Sequence, residues 1–312
     1  MVVTHGSLPG AASQAGGGWA VTIGNFDGVH RGHRALLDRV TSKARELKMG
    51  SCVLTFEPHP REFFAGKDAQ ERVPARLTRL RDKLELMAAA GIGRVHVARF
   101  DARFASLSAA DFIEKVLVRG LGTRSLAVGR DFRFGKGRSG DYAALEEAAG
   151  RHGFRLESVP DVVLDGERVS SSAVRAALQA GELRQAERLL GHTYSISGRV
   201  AHGAGLGREL GFPTANIPLR RSPPLAGVYV VEVEHFGPGV ASVGRRPTVN
   251  PVPRPLLEVH LLDWNADLYG KHLRVCFLEK LRDEEKYADL EQLKNAIARD
   301  VRRAQEYFAR HG

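Results

Sequence analysis

Two cysteines, Cys52 and Cys276, are all that this chain of 312 residues contains. Both stand in apolar strand-like runs far apart in sequence, which argues against a disulfide framework and predicts buried thiols of a reducing cytoplasm. No apolar run approaches the ~18 residues that a membrane helix requires. The first eighteen residues, MVVTHGSLPGAASQAGGG, lack both a basic segment and an apolar one, so they do not read as a secretory signal. Their Gly/Ala/Ser content predicts a disordered extension over residues 1–18. No internal repeat is visible, nor is a basic block, a zinc finger or an RNP-like aromatic motif. Lys and Arg number 46 against 36 Asp and Glu, for a net charge of +10, and are spread along the whole chain. That balance suits nucleic acid and small polyphosphates equally. The GxxxxGK[ST] of a P-loop and the GxGxxG of a dinucleotide fold are also missing.

What stands in their place is Gly24-Asn25-Phe26-Asp27-Gly28-Val29-His30-Arg31-Gly32-His33. It follows the apolar run Trp19–Ile23 and precedes a helical pattern from Arg34 onward. A strand thus opens through a glycine-rich turn into a helix N-terminus, where backbone N–H groups and the helix dipole favour an anion. His30 and His33, three apart on the first turn, point the same way. The blander reading is a strand–helix loop with surface histidines. A zinc pair is a further alternative, but no nearby Cys or Glu completes its ligand set.

The first half alternates strand candidates (Trp19–Ile23, Cys52–Phe56, Arg94–Ala98, Ser125–Gly129, Phe154–Val159) with helical stretches near Ala35–Leu47, Arg76–Ala90, Ala109–Arg119 and Tyr142–Arg151. Alternation of this kind predicts an α/β, Rossmann-like unit with a parallel sheet, whose ligands bind at strand carboxyl ends. After a helical stretch over Ser170–Leu190, broken at Gly181, the pattern changes. Tyr194–Val200, Gly227–Glu234, Val240–Val243, Leu256–Leu262 and Leu273–Leu278 read as strands joined by Gly/Pro turns. They predict a mostly antiparallel sheet or small β-barrel, closed by a helix over Leu290–Phe308 with Asp289 at its cap. The boundary is expected near residue 187, giving domains over 19–186 and 187–312.

Five further constellations carry chemistry. His59 sits in a loop stiffened by Pro58 and Pro60. Asp131 and Phe132 belong to a run of glycines, aromatics and cations, Gly129–Arg138, which suits a ring and a phosphate or else a solvated hairpin. Ser170, Ser171 and Ser172 at a helix start can cap it, with Arg175 one turn on in reach of a phosphate. In the second half Gly203, Gly205, Gly207 and Arg208 precede Gly211-Phe212-Pro213-Thr214-Ala215-Asn216. Thr214 and Asn216 alternate, so their oxygens face one way in an extended segment and can hold a hard cation such as Mg²⁺. Glu258 shares a strand face with His260, opposite Val259 and Leu261. A carboxylate there suits a general base or an exposed strand edge.

These pieces (GNFDGVHRGH, VGRDFRFG, SSSAVR, GRELGFPTANI, GVASVGRRPT, and LEVHLLD with DLYG) resemble, in order, the bifunctional bacterial riboflavin kinase/FAD synthetase family. The resemblance covers Trp19 to Phe308. It implies a C-terminal riboflavin kinase domain that phosphorylates riboflavin to FMN with ATP. It implies an N-terminal nucleotidyltransferase domain that moves AMP from a second ATP onto FMN, giving FAD and pyrophosphate. In that reading His30 and His33 stabilise charge on the ATP phosphates, and Gly24, Asn25, Phe26 and Asp27 shape their pocket. Arg175 and the serines approach the polyphosphate, while His59, Asp131 and Phe132 fall among the nucleotide and flavin contacts. Thr214 and Asn216 hold Mg²⁺ beside ATP under the glycine loop, and Glu258 is the base on the flavin hydroxyl. The partners are small molecules, with neither nucleic acid nor membrane among them; oligomeric state is left open. The family usually has Thr at Ser172, a small residue or Thr at Arg245 and an acidic residue at Ala204. A chain with one live half, and a nucleic-acid binder on the same scaffold, are the competing readings.

Overall fold

The computed structural model describes residues 1–7, 17–66, 73–203, 205–246, 254–264 and 266–311. Two compact units emerge: Met1–Pro74 with Leu80–Val169, and Ala75–Arg79 with Ser170–Gly312. The first is built on strands β1 (Val2–Gly6), β2 (Trp19–Ile23), β3 (Gly50–Glu57), β4 (Arg94–Arg99), β5 (Thr123–Gly129) and β6 (Arg155–Val159). They form a wholly parallel sheet in the order β1-β4-β3-β2-β5-β6. Its helices are α1 (Arg31–Glu46), α2 (Pro60–Ala65), α3 (Leu80–Ala89), α4 (Ala102–Ala105), α5 (Ala109–Asp111), which runs on as a π-helix over Phe112–Val118, and α6 (Tyr142–His152). A short hairpin, β7 (Val163–Leu164) and β8 (Glu167–Arg168), completes it.

Alternation along the strands separates two apolar layers. Val21 and Ile23 pack with Leu117, Leu121 and Leu145 on one face; Ala20, Val53 and Val97 pack with Leu37, Val40 and Met87 on the other. Strands covered on both faces must be apolar throughout, which is why these runs are legible in the sequence. Strand order reverses at β2, with β3 on one side and β5 on the other, so the carboxyl ends of β2 and β5 flank the switch point where such sheets bind ligands.

Val2–Gly6 is not a disordered extension. It pairs in parallel with Arg94–Ala98, and Thr4 Oγ1 lies 2.9 Å from His96 Nδ1. A β-branched pair and a Thr suit an edge strand, a pattern masked by the Gly/Ala/Ser-rich stretch behind it. Residues 8–16 of that expected extension lie outside the described residues. The helix expected from Arg76 starts at Leu80, and Ala75–Arg79 groups with the second unit.

The second unit holds α7 (Ser171–Ala180), α8 (Leu183–Leu190), β9 (Ser195–Arg199), α9 (Leu206–Glu209), β10 (Ala215–Pro218), β11 (Gly227–Val233), β12 (Gly237–Arg246), β13 (Arg254–Leu261), β14 (His272–Arg282) and α10 (Leu290–His311). Its strands pair antiparallel in the order β10-β13-β12-β11-β14-β9, and a bridge between Ala201 and Asn216 brings the ends together as a nearly closed barrel. Tyr229, Val231, Val259 and Phe277 are fully buried within it. The alternate residues Val228, Val230 and Val240 pack instead with Ala304, Val301 and Phe308 of α10, which covers that outer face. The division before α7 lies upstream of the boundary expected near 187. The two helices pack on each other and α8 packs on β14, so the hairpin travels with the barrel.

Candidate active sites

In the first unit the turn after β2 is held in a rare conformation. Phe26, Gly28 and Val29 have φ of 50°, 85° and 42°. Only glycine takes such values freely; for Phe and a β-branched Val they are strained, and the surroundings must impose them. Val29 N–H closes the turn onto the Phe26 carbonyl at 3.3 Å. The Asn25 carbonyl accepts from Lys83 Nζ at 2.6 Å and from Thr55 Oγ1 at 3.3 Å. Asp27 is buried within the turn.

His30 is the N-cap of α1, its Nδ1 accepting the His33 backbone N–H at 3.3 Å. The two imidazoles stack with centroids 3.7 Å apart, and Phe26 lies 5.0 Å from His33. Burial, then the charges of His30 and Lys83, push the His33 pKa well below 6.5. The ring is therefore neutral at pH 7. His33 Nδ1 and Asn25 Oδ1 are buried without a hydrogen-bond partner. Buried polar atoms are rarely left so, and their presence marks a place for a ligand.

At the carboxyl end of β5 the Gly129–Gly140 loop is braced internally. Phe132 stacks on Phe134 at 5.6 Å, and Phe134 and Gly140 exchange backbone hydrogen bonds of 3.1 and 2.9 Å. Asp131 pairs with Arg168 at 2.7 Å, and Arg168 with Asp161 at 2.8 Å. His59 is engaged locally as the N-cap of α2, where its Nδ1 accepts the Arg61 N–H at 3.1 Å and Glu62 completes a capping box. Ser170 likewise caps α7 through the Ala173 N–H at 3.1 Å, with Ser171 and Ser172 opening that helix. Arg175 Nε donates to the Ala75 carbonyl at 2.6 Å. These four residues of α7 and its cap belong to the second unit.

In the barrel, register gathers the expected residues. Asn216, Glu258 and Ser242 are directly paired across β10, β13 and β12, so they share one face, while Ile217, Leu257 and Val243 point inward. Asn216 Oδ1 is buried without a partner. A methyl on Gly203 would overlap the Asn216 amide, 2.8 Å from Oδ1, and one on Gly207 would stand 3.2 Å from Thr214 Oγ1. The glycine loop therefore lies directly on the two oxygens, with Gly211 in the left-handed region and exposed Pro213 giving its carbonyl to His260 Nδ1 at 2.9 Å. Gly205 and Arg208 are joined by a backbone hydrogen bond of 2.9 Å within the same loop. Ala204 lies outside the described residues, as does the side chain of Arg245.

A cavity of about 190 Å³ opens beside this face, between Thr214 and the strand residues Glu258 and Ser242 on one side and Leu293, Ile297 and Asp300 of α10 on the other. Glu284, unmarked in the sequence, lines it too; loss of hydration and then the charge of Glu258 raise its carboxyl pKa. Asp300, 3% exposed, clamps Arg282 through Nε at 3.1 Å and Nη2 at 2.7 Å. Lys83 left one signal in the sequence, a charge among Leu80, Leu84 and Met87 on an apolar helical stripe. The others left none. Among the described residues no three His, Cys, Asp or Glu side chains are grouped to hold a metal.

Two family models match successive stretches of the chain. A family model described as FAD synthetase matches residues 13–173, and one described as riboflavin kinase matches residues 190–308. The bifunctional riboflavin kinase/FMN adenylyltransferase of Escherichia coli (strain K12) is 51% identical over 93% of each chain. The protein of the same description from Pseudomonas fluorescens is 50% identical over 94% of each. Among solved structures, a macrolide-efflux protein from Streptococcus pneumoniae superposes with a TM-score of 0.81 at 26% identity, covering 98% of this chain and 99% of that one.

Proposed function

The chain belongs to the bifunctional riboflavin kinase/FMN adenylyltransferase family, and from that premise we propose how its two sites divide the work. The protein is an enzyme of FAD biosynthesis. The C-terminal unit phosphorylates riboflavin with ATP, and the N-terminal unit transfers AMP from a second ATP to FMN, releasing pyrophosphate. The observation that supports our assignment of residues is the pair of orphaned buried atoms, His33 Nδ1 and Asn216 Oδ1, one in each unit.

In the adenylyl-transfer site, the turn 24–29 and the start of α1 receive the ATP phosphates. An oxygen of the FMN phosphate attacks the α-phosphorus, and the bond to pyrophosphate breaks. Such chemistry gains mainly from positioning and from charge stabilisation. Neutral His33, stacked on His30, offers an N–H to a phosphate oxygen. In the kinase site Thr214 and Asn216 would hold Mg²⁺. The orphaned Asn216 oxygen and the glycine backbone laid against it fit a cation that keeps water and phosphate as its other ligands. Bound there, Mg²⁺ would neutralise charge on the transferred phosphate. Glu258 takes the proton of the ribityl hydroxyl, and the cavity under α10 seats the flavin. A cytoplasmic setting fits the unpaired thiols Cys52 and Cys276. The Streptococcus protein's name speaks of efflux; among the described residues no helix is long and apolar enough to cross a membrane.

The test separates products by chromatography after incubation with riboflavin, ATP and Mg²⁺. His33→Ala is expected to cut FAD formation by about 10²–10³-fold while FMN accumulates. Glu258→Ala should cut FMN formation by about 10²-fold or more, yet leave supplied FMN convertible to FAD. Loss of both steps from either substitution in a folded protein overturns the division.

A further inference from the structure

We propose that Lys83 is a positioning residue for adenylyl transfer, a buried cation that clamps the strained turn and so delivers His30 and His33 to the phosphates. The inference rests on the reading of that turn given above. An ammonium is costly to bury without partners and is seldom placed inside for packing alone. Lys83 is 4% exposed, on the α3 stripe that also carries Met87, and its Nζ donates to the Asn25 carbonyl at 2.6 Å.

That carbonyl immediately precedes the left-handed residues. Phe26 and Val29 keep unfavourable φ values only while neighbouring elements over-determine them. Lys83 from α3 and Thr55 from β3 hold the first link of the turn from two sides, and His30 anchors the last by capping α1. Freed of its ammonium, the Asn25 carbonyl would be left in a half-buried setting with only a 3.3 Å hydroxyl contact. The turn would then relax towards ordinary φ, and the two imidazoles would shift with it.

The same position acts on protonation. His33 faces His30 at the cap of its own helix, Phe26 from the turn, and Lys83 from α3. Both neighbouring bases oppose a second positive charge there, so Lys83 helps keep His33 a neutral donor. A residue serving only the core would influence neither the turn nor this titration.

The experiment uses the full-length protein with Lys83→Met and Lys83→Arg. FAD formation from supplied FMN and ATP is followed across pH, with FMN formation from riboflavin in the same preparation as the internal control. For Lys83→Met, kcat for FAD formation is expected to fall about 10-fold or more at neutral pH, with FMN formation within about twofold of the parent. The acidic limb of its FAD profile should move to higher pH, since His33 protonates more readily without the neighbouring cation. Lys83→Arg, which keeps the charge, should hold the limb near its original pH. An unchanged rate and limb in Lys83→Met overturns the proposal. Equal loss of both activities does so too, because Lys83 would then serve the fold. If His33→Ala retains FAD formation, the reading of the turn itself fails; if His33→Ala is inactive while Lys83→Met is normal, only the role of Lys83 fails.

Discussion

His33 combines a half-buried ring whose Nδ1 is cut off from water with a neighbouring histidine and a buried ammonium, and all three lower its proton affinity. The unfolded chain has none of these, so its histidine titrates near the ordinary 6.5. As pH falls through that value, the unfolded state takes up the proton first, and folding stability is lost. Above about pH 6.5 the contribution is fully present. His33→Gln removes the titration. Denaturant midpoints should therefore decline less steeply for the variant than for the parent between about pH 6.5 and 5, by up to one proton's linkage. His96, also lowered by burial, acts in the same direction in both proteins and cancels from the comparison. Identical slopes would show that His33 gains no protection from protonation in the folded state. Other polar residues are engaged locally: His59 and Ser170 spend their acceptors on helix caps.

Among elements, α10 is the one whose loss should separate the two activities. It covers Val228, Val230 and Val240 and forms one wall of the carboxylate-lined cavity. Its ion pair with the sheet is Asp300 on Arg282, near-bidentate with a side chain 5% exposed, beside an Arg303 Nη1 hydrogen bond to the Leu281 carbonyl at 2.9 Å. Removing one partner of a buried pair strands the other charge and costs about 3–5 kcal/mol. Asp300→Ala should lower the melting temperature of the barrel and raise KM for riboflavin. FAD formation from supplied FMN should persist, which a coupled assay on either flavin would register. Elements of this kind were legible where one stretch of chain fixes them. Trp19–Ile23 matches β2 end for end, and the Asp289 cap of α10 is made through the Gln292 N–H at 2.7 Å. Distant partners were not legible. The alternation of Thr214 and Asn216 could be read, but their alignment with Glu258 and Ser242 depends on strand register across β10, β13 and β12. Glu284 and Lys83 join their sites only through tertiary packing, which leaves at most an odd charge in an apolar stripe. Val2–Gly6 needed Arg94–Ala98 as a partner before it could count as a strand.

At the scale of the whole molecule, the constellations we assign to catalysis lie in separate compact units: His30 and His33 in one, and Thr214, Asn216 and Glu258 in the other. FMN, product of the second unit and substrate of the first, is then the only chemical link the two reactions require. A free intermediate can be made by one molecule and consumed by another. His33→Ala retains the kinase set, and Glu258→Ala retains the adenylyl-transfer set, so neither alone should carry riboflavin through to FAD. Mixed in equal amounts with riboflavin, ATP and Mg²⁺, they should restore FAD formation after a lag during which FMN builds up. Raising both protein concentrations together should shorten that lag, because FMN is then both supplied and captured faster. Chromatography over the time course distinguishes the outcomes. FAD appearing without free FMN would mean that the intermediate passes directly between molecules. No FAD from the mixture, while each variant keeps its own half-reaction, would mean that FMN made by one chain is not released to another, and the separation of the sites would not extend to their chemistry.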